Sequence, residues 1–201
     1  MLKCKEQVHG HLSVINGVGS WDGKVQKKFP LKQVWDFFRP KLPVVSWYKL
    51  VWSQPAMPRD QFLCWLITRG YLTTGDKLLS WGYQGDFNCA FCATAVETLN
   101  HLFAECSRYK GLYSCLFSKF TSRIPSNSWE VELNWAVTAF AGPSATCRVG
   151  RIIWQSLISS IWRDKCKAKH GKQILSLEKV QVRVKSDLEV LCEAEDVGKF
   201  L

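Results

Sequence analysis

Cys89-Ala-Phe-Cys92, then His101 after eight residues and Cys106 after four more, is the stretch from which the rest of the chain is read. Zinc takes four nitrogen or sulfur ligands in a tetrahedron, and three thiolates with one imidazole satisfy it. The two-residue gap lets both thiolates of one tight turn face a single ion, and the second pair arrives from a different element. Four such ligands leave no open coordination position, so the pattern predicts one structural zinc rather than a catalytic one. Between the pairs, Thr94-Ala-Val-Glu97 reads as a helix start, with Glu97 closing a capping box on Thr94. His101 projects from that helix. Cys106 follows five positions later, about 140° around a regular helix, so both residues reach one ion only if the helix loosens or ends between them. The other cysteines (Cys4, Cys64, Cys115, Cys147, Cys166 and Cys192) are scattered and read as small buried hydrophobes.

Around this core the periodicity is helical. Leu31, Val34, Trp35 and Phe38 share a face, and Pro40 and Pro43 end that helix. Residues 58–82 form a helix–turn–helix pair: Pro58 opens it, Gly70 stops the first helix, and Thr73 or Thr74 caps the second. Further helices are expected over 107–120 and 129–140. A long one runs from Ser144 or Thr146 to His170 and is broken by Gly171; a last one covers 174–195, with Ile174, Leu177, Val184, Leu188 and Leu191 inward. The long helix carries two apolar stripes, Ile153/Leu157/Ile161 and Trp154/Ile158/Trp162/Cys166. A helix apolar on two sides is buried between neighbours or awaits a partner. Residues 1–28 are rich in Gly and Lys and lack clear periodicity, which suggests a loose segment with at most a short strand.

Composition sets the outer bounds. The chain has 201 residues, 47% hydrophobic and 22% charged, which fits one globular domain or two small ones and excludes wholesale disorder. No run of about 18 apolar residues predicts a membrane span, and residues 1–14 carry no secretory signal. An intracellular, reducing location is therefore expected, nuclear or cytoplasmic, with the thiols free or metal-bound. The net charge is +10. Residues 1–59 hold ten Lys and Arg against three Asp and Glu, residues 60–120 five of each, and residues 121–201 twelve against nine. The zinc motif thus lies in a neutral middle between basic flanks. Lys24, Lys27, Lys28, Lys32, Arg39 and Lys41 make one basic stretch, interleaved with Phe29 and Trp35; Arg163, Lys165, Lys167, Lys169 and Lys172 make another. Such charges suffice for phosphate contacts, and equally describe a solvated face.

The ordered segments resemble the reverse-transcriptase zinc-binding domain of plant non-LTR (LINE-type) retrotransposon polyproteins. The resemblance is carried by FPLKQVWDFFRP (29–40), SWYKLVWSQPAMPRDQFLCWLITRGYLTTGDKLLSWG (46–82), CAFC (89–92) and ETLNHLFAEC (97–106). The trailing IWRDKCKAKHG (161–171) is similar to a segment that often follows in this family, with Lys165-Cys166 in place of Arg-Asn. The resemblance puts the zinc ligands on Cys89, Cys92, His101 and Cys106. It implies an accessory module downstream of a polymerase, inferred to contact nucleic acid. The chain has no Asp-Asp pair of the polymerase type and no carboxylate constellation for two-metal chemistry, so no enzymatic activity is expected.

These observations predict a mainly α fold: a small helical array stapled by one Cys3His zinc site, with little or no β structure. Three regions are expected: a basic N-terminal segment with one short helix (1–45), the zinc-binding helical module (46–120) and a C-terminal helical region (121–201). The expected function is a retrotransposon-derived zinc-binding accessory module that contacts RNA or DNA non-catalytically through its basic flanks, with no membrane partner. The alternative is a helical interaction or scaffold fragment, whose doubly apolar 146–170 helix docks on other domains of the parent polyprotein.

Overall fold

The structure is a computed structural model that describes residues 10–16, 18–22, 24–25 and 31–192. The chain divides into two compact units between Val44 and Val45.

The N-terminal unit holds a three-stranded antiparallel meander, β1 (Leu12–Ile15), β2 (Val18–Trp21) and β3 (Lys24–Val25). Leu12 pairs with Trp21, and Ser20 with Val25. Asn16 (φ 50°) and Asp22 (φ 49°) take the left-handed turn conformation that short polar side chains tolerate. More of this segment is ordered as strand than the single short one suggested by its Gly-rich sequence. α1 (Leu31–Phe38) forms where its periodicity predicts, but none of its residues is buried. The aromatic packing of the unit runs instead through Phe37, whose ring lies 4.3 Å from His11 and 5.9 Å from the buried Trp21.

The second unit is helical: α2 (Tyr48–Trp52), α3 (Pro58–Thr68), α4 (Gly75–Ser80), a π-helical turn (His101–Glu105), α5 (Ser107–Phe117), α6 (Trp129–Ala139), α7 (Ala145–Lys169) and α8 (Leu177–Leu191). α7 is its axis. Ser144 caps it by accepting from the Cys147 amide at 3.2 Å, and Gly171, at φ 66°, ends it. Ile153, Trp154, Leu157, Ile158 and Ile161 are at most 3% exposed. Each fully buried side chain of this kind contributes about 1.5–3 kcal/mol of transfer free energy, so the surrounding helices collapse onto α7. α3, α5, α6 and α8 all pack against it, and Trp129 of α6 stacks on Trp154 with 6.0 Å between centroids. The face that the scaffold alternative reserves for an outside partner is thus occupied by the chain's own helices.

Helix starts depart from expectation in one boundary and one cap. α8 starts at Leu177, because Ser176 accepts from the Lys179 amide at 3.3 Å and so caps it; Ile174 precedes the helix. Thr74 does sit at the start of α4, but its hydroxyl makes no capping bond. None of the eight cysteines among the described residues forms a disulfide; Cys64 is buried and Cys115, Cys147, Cys166 and Cys192 partly so. Among the described residues no helix is long and apolar enough to cross a membrane.

Candidate metal centre

The first two ligands come from a short knuckle. Asn88 bridges antiparallel to Val96, and the Cys89 amide donates to the Ala95 carbonyl at 2.8 Å. The chain reverses within this hairpin through Ala93, which takes φ 54° and donates to the Cys89 carbonyl at 2.9 Å. Cys89 is buried and Cys92 half-buried. No helix starts at Thr94. Its hydroxyl donates to Cys92 Sγ at 3.1 Å, and Glu97 turns to Lys165 of α7, 2.9 Å away, so the capping box is not made. Thr98 serves as the cap, its Oγ1 accepting from the His101 amide at 2.9 Å.

The second pair comes from the π-helical turn. The Cys106 amide donates to the His101 carbonyl at 2.8 Å, an i+5 closure in place of the usual i+4. The wider turn carries Cys106 round toward the side of His101, and the chain leaves the helix at Cys106 in an extended conformation (φ −60°, ψ 136°). The loosening that the five-residue spacing demands is therefore present. Leu102, Phe103 and Ala104, all 0% exposed, anchor the turn in the core.

The four ligand atoms lie within 4.8 Å of one another. Zn–S bonds of about 2.3 Å in a tetrahedron put two sulfurs about 3.8 Å apart, and a sulfur and an imidazole nitrogen about 3.5 Å apart. Cys89 Sγ and Cys106 Sγ are 3.8 Å apart, and Cys92 Sγ and His101 Nε2 are 3.2 Å apart. The donor set and its spacing fit one zinc ion. Without metal, Cys89 and Cys106 share a proton: the hydrogen bond between them draws Cys106 down to about 7 and pushes Cys89 up to about 12. A zinc ion held by these thiolates would take the place of that proton, so its binding would be coupled to proton release. On the other side of the imidazole, Nδ1 faces Glu105 Oε2 at 3.4 Å, the carboxylate–histidine arrangement that orients a metal-bound ring. The i,i+4 spacing of His101 and Glu105 was a usable signal for that partner; nothing in the local sequence signals Lys165.

Residues 29–113 match the family described as zinc-binding in reverse transcriptase. The match supports a reverse-transcriptase-associated zinc-binding domain over this segment. It contains all four candidate ligands, and the match is to this accessory domain rather than to a polymerase domain. No curated protein and no solved structure matches the chain.

The basic residues of the two stretches separate into two groups. Lys24, Lys32, Arg39 and Lys41 are exposed; Arg39 has Asp36 at 3.0 Å. Lys27 and Lys28 lie outside the described residues. In the second stretch, Arg163 donates to the buried Asp60 at 2.8 Å. Lys165 is 8% exposed and paired with Glu97. Lys167 has Asp164 at 3.7 Å, and Lys169 donates to the carbonyls of Asp86 (3.0 Å) and Asn88 (2.9 Å). The C-terminal basic run is thus largely engaged inside the fold, because α7 lies among the elements that carry its acceptors.

Proposed function

We propose that the chain is a non-catalytic accessory module of a retroelement polyprotein, of the plant LINE type that its segments resemble. In this reading it acts inside the cell, one zinc holds the helical unit together, and the N-terminal unit contacts RNA or DNA phosphates. The observation that carries the proposal is the contrast between the two basic stretches. The cations of 163–169 have partners within the chain, whereas Lys24, Lys32 and Lys41 are exposed, as is Trp35 of α1 (66%). Exposed cations supply salt-dependent affinity, and an exposed aromatic supplies a stacking surface for unpaired bases.

The test is a titration of zinc-loaded protein with a structured RNA and a duplex DNA at about 50 and about 200 mM salt. Binding that weakens steeply with salt, and whose salt dependence shrinks when Lys24, Lys32 and Lys41 are changed to Gln, supports the proposal. Absence of binding at the lower salt overturns it. The scaffold alternative would then rest on the exposed aromatics of the neutral middle, Phe62 (55%), Tyr71 (55%), Trp81 (61%) and Tyr83 (60%).

A further inference from the structure

We infer that Lys165 and Lys169, one turn apart on α7, are positioning residues of the metal centre, gripping the two legs of the knuckle that carries Cys89 and Cys92. The inference rests on the zinc site and is independent of any contact with nucleic acid.

The two halves of the ligand set are held by different forces. His101 and Cys106 flank three core residues of the π-helical turn, so hydrophobic packing places them. The knuckle is anchored more lightly: Cys89 joins the core, Phe91 and Cys92 pack partly against it, and the Asp76 amide of α4 donates to the Glu97 carbonyl at 3.1 Å. From Tyr83 to Thr98 only Cys89 and Glu97 are buried, and its pairing amounts to one bridge between Asn88 and Val96. A hairpin this short does not hold its shape alone. Both legs also end on α7. On the outgoing leg, Glu97, next to Val96, places Oε1 2.9 Å from Lys165 Nζ, with its side chain 1% exposed. On the incoming leg, the carbonyls of Asp86 and Asn88, the latter next to Cys89, accept from Lys169 Nζ at 3.0 and 2.9 Å. Residues at i and i+4 of a helix lie on one face, so one strip of α7 spans the open end of the hairpin. Lys165 is held in turn, donating to the Thr73 carbonyl at 3.3 Å and lying 4.2 Å from the centre of the Trp162 ring. The strip thereby presets the separation of the legs, and with it the aim of the two thiolates, before metal arrives.

The experiment uses the full chain, stripped of metal under reducing conditions and titrated with Co2+ in competition with a chelator. Cobalt absorption reports ligand geometry and the competition reports affinity. Lys165→Met is expected to keep the tetrahedral cobalt spectrum while binding about tenfold more weakly, the size seen when groups that orient metal ligands are lost. Lys165→Arg is expected to restore affinity. Glu97→Gln, which preserves the shape of the pair, is expected to weaken cobalt in the same direction should Lys165→Met fold poorly. Arg123→Met, which breaks the ion pair between Arg123 and Glu132 of α6 (2.5 Å), controls for general destabilisation. The inference is overturned if cobalt affinity is unchanged in both Lys165→Met and Glu97→Gln, or if it falls only as far as in Arg123→Met for the same loss of unfolding temperature.

Discussion

The amide of Cys106 closes on the carbonyl of His101, five residues back, at 2.8 Å. That bond makes the ligand set possible, because it removes the angular mismatch that a regular helix would impose on a five-residue spacing. It also places the metal where it can stabilise the fold. The π-helical turn runs directly into α5, whose Tyr109, Leu112, Tyr113 and Phe117 are buried. A metal at Cys106 therefore secures the start of a core helix as well as a surface knuckle.

Replacing Cys106 by Ser is expected to abolish stoichiometric zinc in protein purified under reducing, chelator-free conditions. It is also expected to lower the unfolding temperature by about 10 °C, which corresponds to a loss of about 3 kcal/mol in a domain of this size. Chelation of the parent protein should give a similar shift, since metal binding and folding share one free energy. Metal analysis and a thermal scan check both. A parent protein that carries no zinc would remove the staple altogether.

Glu132 is the best-satisfied buried charge in the helical unit. It is 0% exposed and accepts from Tyr109 Oη at 2.7 Å, from Arg123 at 3.0 and 2.5 Å, and from the Ser126 amide at 2.6 Å. Breaking a buried pair by removing one partner strands the other group without solvent, at a cost of about 3–5 kcal/mol. Glu132→Ala should lose that much in urea unfolding, and Glu132→Gln less, because its amide oxygen can still accept. A loss below about 1 kcal/mol for the alanine variant would mean that Arg123 and Tyr109 recover their partners from water.

Which features were legible in sequence follows the range over which their causes act. α1, the Ser144 cap of α7 and the Gly171 stop are set by residues within a turn of each other, and the structure has them where the local signals lie. The four ligands were legible because metal spacing is itself short-range. Thr94 and Glu97 misled because their actual partners, the Cys92 sulfur and Lys165, compete for the groups that a capping box would use; Lys165 is sixty-eight positions from Glu97 and invisible to any local pattern. The same distance explains the second basic run. A row of cations reads as a solvated face until the fold reveals that Asp60, Glu97 and the carbonyls of Asp86 and Asn88 line it.

Gly150 lies on α7 under the ring of Phe140, and a methyl group built there would meet Phe140 Cε1 at 2.3 Å and Cδ1 at 2.4 Å. Phe140 is itself fixed, stacked on Phe117 at 6.0 Å and edge-on to Trp135 at 5.4 Å. In an exposed helix Gly→Ala stabilises by up to about 1 kcal/mol. Here the clash should reverse the sign, and Gly150→Ala is expected to destabilise by about 1–3 kcal/mol, the range for overpacking. Chemical denaturation distinguishes the two: a stabilised variant would mean that the Phe140 ring can move aside.

Asp187 of α8 gives the chain a pH dependence separate from its metal. Burial pushes its carboxyl above the ordinary value of 3.8, and the nearby Asp60 of α3 adds to the rise, against the opposing pull of Arg59, Arg183 and Arg163. Arg59 of α3 comes no closer than 3.9 Å, and its own side chain is 61% exposed. A carboxyl with a raised folded value binds its proton more tightly in the fold than in the unfolded chain. Stability therefore falls as pH rises from 3.8 through the raised folded value, and the penalty is complete above it. Asp187→Asn cannot ionise, so it should lack this slope and be at least as stable as the parent near neutrality. Urea unfolding of both proteins from about pH 4 to about pH 7 tests this. Acid loss of zinc affects parent and variant alike and cancels in their difference. A parent that instead gains stability relative to Asp187→Asn as pH rises through this window would make Asp187 a net partner of Arg59 and Arg183.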